Sequence, residues 1–357
     1  MSLKDRLAAQ IAAGGPMTVA QYMQACLLDP QDGYYATRPG LGETGDFITA
    51  PLVSQMFGEL IGLWAVETWR GLGSPPRFLL VEAGPGDGTL MSDILRAARL
   101  VPEFIAACEL WLVEVSEPLL ERQMATLASA PLTPTWTPAI SDLPDGAPVI
   151  LIANELLDCL PARQFVQTSD GWVEKLVGLD AAGELTFALS APAPEGGMVM
   201  EVSAAQEAFA SELGALLHRE TGAALLLDYG RSEPGFGDTF QALSRHTKVD
   251  PLAAPGEADL TVYADFPAVR AAAEAEGCAT DIAPQGLFLR RLGIEHRAAA
   301  LARMKPERGE VLERQLKRLI DPQEMGELFK AACIHYPARP APPGFEDVTE
   351  TEAKDGA

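Results

Sequence analysis

Positive charge is scarce in this chain, and so are histidines, paired cysteines and long apolar runs. Its 357 residues carry 27 lysines and arginines against 50 aspartates and glutamates, a formal net charge of −23. Phosphates are repelled by such a balance, so nucleic-acid binding through a broad basic surface is excluded. A basic peptide or an arginine side chain suits it as a partner, and so does the plain solubility of an acidic surface. The 4 histidines and 5 cysteines (Cys26, Cys108, Cys159, Cys278, Cys333) form no H-x-x-x-H and no C-x-x-C. That spacing predicts no metal site and free thiols in a reducing compartment. No apolar run approaches the roughly 20 residues of a membrane-spanning helix. The first residues, with Lys4, Asp5 and Arg6, are too weak for a secretory signal and too poor in arginine and serine for a transit peptide. Together these features predict a cytoplasmic protein.

What is present is organised around one stretch. Arg77 to Val81 is a short apolar run after Pro75-Pro76, which reads as a buried strand. Glu82 follows, then Gly84, Gly86 and Gly88 alternate through a turn, and Thr89 opens a segment whose Leu90, Ile94, Leu95 and Ala98 fall on one helical face. Strand, glycine loop and helix make the first unit of a nucleotide-binding α/β fold, because glycines allow a sharp turn and close approach of backbone to ligand. The dinucleotide pattern G-x-G-x-x-G does not fit, since Thr89 stands where its third glycine belongs. The pattern acid-x-G-x-G-x-G resembles motif I of the Rossmann-like S-adenosylmethionine (SAM) methyltransferases. That resemblance implies a loop that wraps the methionine moiety, with Glu82 facing its ammonium. A loop that merely turns the chain is the bland alternative.

Leu110 to Ser116 reads as the second strand, with Glu114 near its carboxyl end. A carboxylate there accepts two hydrogen bonds at once and suits ribose hydroxyls; a solvated strand-end glutamate is the alternative. Trp136 falls on a third strand. The loop around Asp142 corresponds to the region that usually contacts adenine in methyltransferases. Pro148 to Ala153 is a fourth strand that ends abruptly in Asn154-Glu155, with Asp158 close behind. Ligands bind outside the carboxyl ends of the strands in open α/β sheets, so Asn154, Glu155 and Asp158 are expected where the methyl group meets its acceptor. A helix N-terminus capped by Asn154 explains the same residues, and both readings are compatible.

The expected organisation is a Rossmann-like methyltransferase core with additions. Residues 1–75 form N-terminal helices and a glycine-rich loop around Tyr34, Tyr35 and Phe47, read as a site lid rather than a linker. Residues 76–162 make the first half of the core. Residues 163–200 are an inserted β element, with strands near Arg163–Val166, Gly171–Val177 and Glu184–Leu189 joined by tight turns. Residues 201–336 supply the second half, including a strand at Ala223–Gly230, a loop-rich stretch from Gly235 to Asp265, and helices running to about Tyr336. The proline- and acid-rich residues 337–357 are expected as a disordered tail.

Seven motifs in one order now identify the chain as similar to the MidA-like proteins, bacterial relatives of the mitochondrial complex I assembly methyltransferase. They are Gly45-Asp46-Phe47-Ile48-Thr49-Ala50-Pro51, Phe57-Gly58-Glu59-Leu60, Glu82 through Leu90, Ala153-Asn154-Glu155-Leu156-Leu157-Asp158, Asp228-Tyr229-Gly230, Gln285-Gly286-Leu287-Phe288-Leu289 and Met325-Gly326-Glu327-Leu328-Phe329-Lys330. The resemblance covers nearly the whole chain and implies SAM as cofactor. It also implies a protein substrate with an arginine-containing segment, such as a respiratory complex I subunit. Two positions depart from the family pattern, Leu52 where glutamate is usual and Tyr263 where histidine is usual. Guanidinium groups stay protonated to above pH ~12, so carboxylates that hold and orient one are the expected catalytic groups: Glu155 and Asp158, with Asp46 from the lid. A small-molecule N- or O-methyltransferase, and a SAM-binding assembly chaperone with little turnover, are the competing readings.

Overall fold

The computed structural model describes residues 1–37, 49–191, 197–339 and 341–345. Its centre is a twisted sheet of seven long-range strands: β1 (Phe78–Ala83), β2 (Cys108–Val113), β3 (Thr135–Thr137), β4 (Val149–Asn154), β5 (Ala223–Arg231), β6 (Ala279–Pro284) and β7 (Phe329–His335). They lie in the order β6-β7-β5-β4-β1-β2-β3, and the two residues Ala264–Asp265 add a short pairing to the end of β5. β1 to β5 run parallel, and β7 runs antiparallel between β5 and β6. Every residue of β1, β4 and β7 is buried, as strands covered on both faces are. One core lies on each face of this sheet, Leu80 and Ile152 facing one and Val81 and Leu151 the other.

β7 corrects the sequence reading, which continued helices to Tyr336. The run Ala331-Ala332-Cys333-Ile334 has helical composition, yet it pairs along its whole length with β5 and β6. Burial between two strands overrides the helical preference of alanine.

The long helix Gln55–Gly71 lies across the helix Thr89–Ala98 that follows the glycine loop. A Cβ at Gly58 would stand 2.5 Å from Cβ of Asp93, and one at Gly62 would stand 2.8 Å from the carbonyl of Ile94. The two bare positions, one turn apart, therefore set how closely the helices approach and fix the glycine-loop helix against the sheet.

The inserted β element has four antiparallel strands, Arg163–Thr168, Gly171–Leu179, Leu185–Leu189 and Val199–Val202. Met17–Thr18 pairs with Leu176 and Val177, so the N-terminal segment joins this sheet. The helices α1 (Leu3–Gly14) and α2 (Val19–Leu28) share one core with the insert and with a small sheet built from Gln241–Ser244, Thr247–Val249 and Asp259–Thr261. Thr18 caps α2 through a reciprocal bond with Gln21. In the stretch expected as a disordered tail, the described residues are ordered: Phe345 packs on Phe288, and Arg291 donates to the carbonyl of Gly344. Residues 346–357 lie outside the described residues.

Candidate active site

β1 delivers Glu82 into the core, and the loop after it needs three left-handed residues. Gly84, Gly86 and Gly88 have φ of +67°, +54° and +83°, a region in which side chains are strained and glycine is not. Gly88 ends the loop as the N-cap of the helix Thr89–Ala98. A Cβ at Gly84 would meet Leu156 at 3.0 Å, so this glycine also makes room for the loop after β4. Glu82 is 2 % exposed, and its Oε2 has no hydrogen-bond partner. Burial, then the neighbouring Asp87, pushes its carboxyl well above the usual range.

β2 delivers Glu114. Its Oε1 accepts the backbone N–H groups of Val115 and Ser116, each at 2.8 Å, and its Oε2 accepts Nε2 of Gln123 at 3.0 Å. Burial raises this carboxyl despite those bonds. Gln123 escaped the sequence reading. It is fully buried, donates to the carbonyl of Gly86 at 2.8 Å, and accepts from Trp136 Nε1 at 2.9 Å. One amide thus ties the glycine loop, the β2 carboxylate and β3 together. The available signal was a glutamine on the apolar face of its helix, beside Leu119.

Asp142 does not reach the site. It is exposed on the 3₁₀ turn Ile140–Asp142, and the cavity wall there is Pro138, Ala139 and Ile140. In so short a turn the apolar Ile140 takes the inward direction, which leaves Asp142 facing solvent.

No helix follows β4, so the capping role for Asn154 is not realised. The chain turns at Glu155, whose φ is +52°, an uncommon conformation for a residue with a side chain and one concentrated at functional sites. Its N–H donates to the carbonyl of Leu227 at 2.8 Å. Glu155 Oε1 accepts the Ala50 N–H at 3.2 Å and Asn154 Nδ2 at 3.1 Å. Asn154 Oδ1 is buried without a partner. Asp228, at the end of β5, holds the turn from behind: Oδ2 accepts the N–H groups of Leu157 at 2.8 Å and Asp158 at 3.1 Å, and Oδ1 accepts that of Tyr229 at 2.8 Å.

Three carboxyl groups therefore crowd one place. Burial, followed by Asp158, pushes Glu155 up to about 8. Burial raises Asp158 too, against hydrogen bonds from Tyr229 and Cys159. Burial, then Asp158 and Glu155, raises Asp228 well above its ordinary value. Among the described residues none of the three forms an ion pair. The charge of Arg318 acts in the opposite direction on Glu155, lowering it by less than burial and Asp158 raise it. Glu155 and Asn154 line the cavity, whereas Asp158 stands behind the wall with its Oδ1 unpartnered. Asp46 lies outside the described residues. Leu52 is on the cavity wall; Tyr263 is not, and packs edge-on against the ring of Tyr229 at 5.7 Å.

These parts surround a cavity of about 420 Å³ that runs from Glu82 and the glycine loop past Glu114 and Ile140 to Asn154 and Glu155. Its size falls in the range of cofactor sites. The orphaned Glu82 carboxylate suits a buried ammonium, and Glu114 suits a diol, so the residues present fit SAM. Among the described residues no group of three or more histidine, cysteine and acidic side chains is placed to hold a metal ion.

Sheet order, glycine loop and paired acids at the ends of β1 and β2 define a Rossmann-like methyltransferase. Residues 60–283 match the model of a family described as S-adenosyl-L-methionine-dependent methyltransferases. The chain is 37 % identical to the mitochondrial protein arginine methyltransferase NDUFAF7 homolog of Drosophila melanogaster, over 92 % of this chain and 84 % of that one. It is 35 % identical to human mitochondrial protein arginine methyltransferase NDUFAF7, over 90 % and 80 %. A COG1565 superfamily member from Burkholderia thailandensis, solved with S-adenosyl-homocysteine bound, superposes with a TM-score of 0.83 at 27 % identity, covering 97 % of this chain and 92 % of that one. The chain belongs to this SAM-dependent methyltransferase family, and SAM is its cofactor.

The names of the Drosophila and human relatives place those proteins in mitochondria, which overturns the cytoplasmic expectation. The scattered cysteines on which that expectation rested do not distinguish one reducing compartment from another. Among the described residues no helix is long and apolar enough to cross a membrane.

Proposed function

We propose that this enzyme methylates an arginine side chain of a protein, with a respiratory complex I subunit, the class that the family resemblance implies, as the acceptor. The observation that carries this reading is a cluster of three carboxyl groups beside the cofactor cavity, Asp158 and Asp228 buried and Glu155 half-buried on the wall, with no ion pair to any of them among the described residues. Ionising such carboxyls without a counter-ion is strongly unfavourable, so they hold protons, and a guanidinium entering the cavity supplies the counter-ion that lets Glu155 ionise. The names of the arginine methyltransferase relatives support the same acceptor.

Glu155 contacts the guanidinium in this scheme. Its Oε2 is free of the bonds that hold Oε1 and accepts an N–H of the acceptor. The orphaned Asn154 Oδ1 accepts a second, so one nitrogen is oriented toward the reacting carbon. Asp158 and Asp228 lie behind the wall and act through Glu155: Asp228 holds the turn that presents it, and Asp158 raises its carboxyl. Glu82 holds the cofactor's ammonium and Glu114 its ribose hydroxyls, while the left-handed glycines keep side chains out of the methionine end. Bound SAM supplies the methyl electrophile and the sulfonium leaving group. When the new N–C bond forms the nitrogen sheds a proton, and Glu155, the carboxylate that holds the guanidinium in this scheme, takes it.

The test is methyl transfer to arginine-containing peptides by wild type and by Glu155→Gln and Asn154→Ala. The expected loss is about 100-fold or more for the first and about tenfold for the second. A wild-type rate in Glu155→Gln sinks the assignment.

A further inference from the structure

A second concavity adjoins the first. It is a shallow groove of about 320 Å³ on α1 and α2, with the buried Leu7 and Met17 as its floor and Gln10, Gln21 and Gln24 at its sides. Leu28, at the end of α2, lines both this groove and the catalytic cavity, and 48 % of its surface is exposed. The groove and the catalytic cavity therefore meet at the Leu28 side chain.

Its polar chemistry is neutral amide. Gln21 spends its carbonyl on the Thr18 N–H and keeps its NH₂. Gln10 and Gln24 are exposed and have no partner among the described residues. Asp29, the one carboxylate on the groove, is already engaged: its Oδ1 takes Arg6 at 2.6 Å and the N–H groups of Gln31 and Asp32. The free amides of Gln10 and Gln24 each offer the donor and acceptor pair of a peptide unit, and Gln21 adds a donor. An apolar floor with such a rim suits the main chain of an extended polypeptide and is indifferent to its charge. A second copy of this chain is a poor occupant, because two bodies of net charge −23 repel.

We propose that this groove seats the polypeptide flanking the acceptor arginine, as extended main chain, while the arginine side chain enters the cavity past Leu28. The inference rests on the arginine reading above and adds the site that makes a polypeptide, rather than a free guanidine, the substrate. Main-chain recognition here also implies tolerance of many flanking sequences.

The experiment compares two synthetic acceptors on the full chain with SAM: N-acetyl-arginine-N-methylamide, and a peptide of roughly nine residues with one central arginine. Two variants perturb the groove in different ways. The double variant Gln10→Ala/Gln24→Ala removes its free amides, and Gln24→Trp fills it. All these positions are exposed, and S-adenosyl-homocysteine affinity measured by calorimetry confirms an intact cofactor site in each. The expected result is a kcat/KM for the long peptide about tenfold or more above that for the short one in wild type, as two retained hydrogen bonds would give. Both variants should bring that ratio close to one without changing the short acceptor. A ratio unaffected by either variant overturns the groove and leaves the arginine reading standing. If neither acceptor takes a methyl group, the arginine reading falls and the groove's role falls with it.

Discussion

Removal of the Glu155 charge should change how methyl transfer depends on pH as well as how fast it is. The carboxyl titrates near 8 because it is buried beside Asp158. At pH 7 such a group is ionised in about one molecule in ten, and ionising the rest costs about 1.4 kcal/mol. An acceptor guanidinium needs the ionised form and keeps its own proton far beyond this range. Acceptor binding therefore releases a proton from Glu155 below pH 8. The affinity for arginine peptides should rise about tenfold from pH 7 to pH 9 and level off above the titration of Glu155. In Glu155→Gln the group cannot titrate, so the rise should vanish while the remaining affinity stays low. The assay is kcat/KM for an arginine peptide between pH 6.5 and 9, with SAM saturating. A flat wild-type profile, or a rise that persists in Glu155→Gln, refutes the reasoning.

The same titration acts on the unliganded fold. With its pKa raised from 4.5 to about 8, folded Glu155 retains a proton that the unfolded chain has lost, so this contribution to stability is complete below 4.5 and is lost as pH rises through 8. The melting temperature should fall between pH 6 and 8.5, and fall less in Glu155→Gln. Glu82→Gln should leave the melting temperature unchanged or higher, since Oε2 has no partner, yet weaken SAM binding by about tenfold or more in calorimetry, because a charge-assisted bond to the ammonium is lost. Gly84→Val should abolish cofactor binding, given φ of +67° and the 3.0 Å approach to Leu156; retained binding would mean that this loop does not wrap the ligand. Asp228→Ala strips the acceptor from three backbone N–H groups, and should destabilise the fold by about 2–4 kcal/mol in urea titration while collapsing activity.

The parts of the site that the sequence made legible are those with a local signature. Glu82, the alternating glycines and Glu114 could be placed because a parallel strand ending in an acid and a glycine turn is specified by neighbours along the chain. Asn154 and Glu155 were located by the same logic, though the left-handed turn that replaces the expected helix was not. That turn depends on Leu227 and Asp228, more than 70 residues away. Gln123 was missed for the same kind of reason, since its three partners lie on the glycine loop, β2 and β3. β7 was misread because alanine-rich composition speaks for helix and only its two partner strands decide otherwise. Asp142 looked plausible by position alone, and the direction of a three-residue turn removed it. The pairing of Met17–Thr18 with the insert had no sequence signal at all, since two residues have no measurable period.

The most direct measurement supplies SAM carrying a deuterated methyl group, together with a basic arginine-containing acceptor protein, to wild type and to Glu155→Gln. The acceptor is then digested and the modified residue sequenced by mass spectrometry. The account predicts the heavy methyl group on an arginine guanidino nitrogen with wild type, and at most a trace with Glu155→Gln. Label on another residue type, or equal labelling by both proteins, would contradict it.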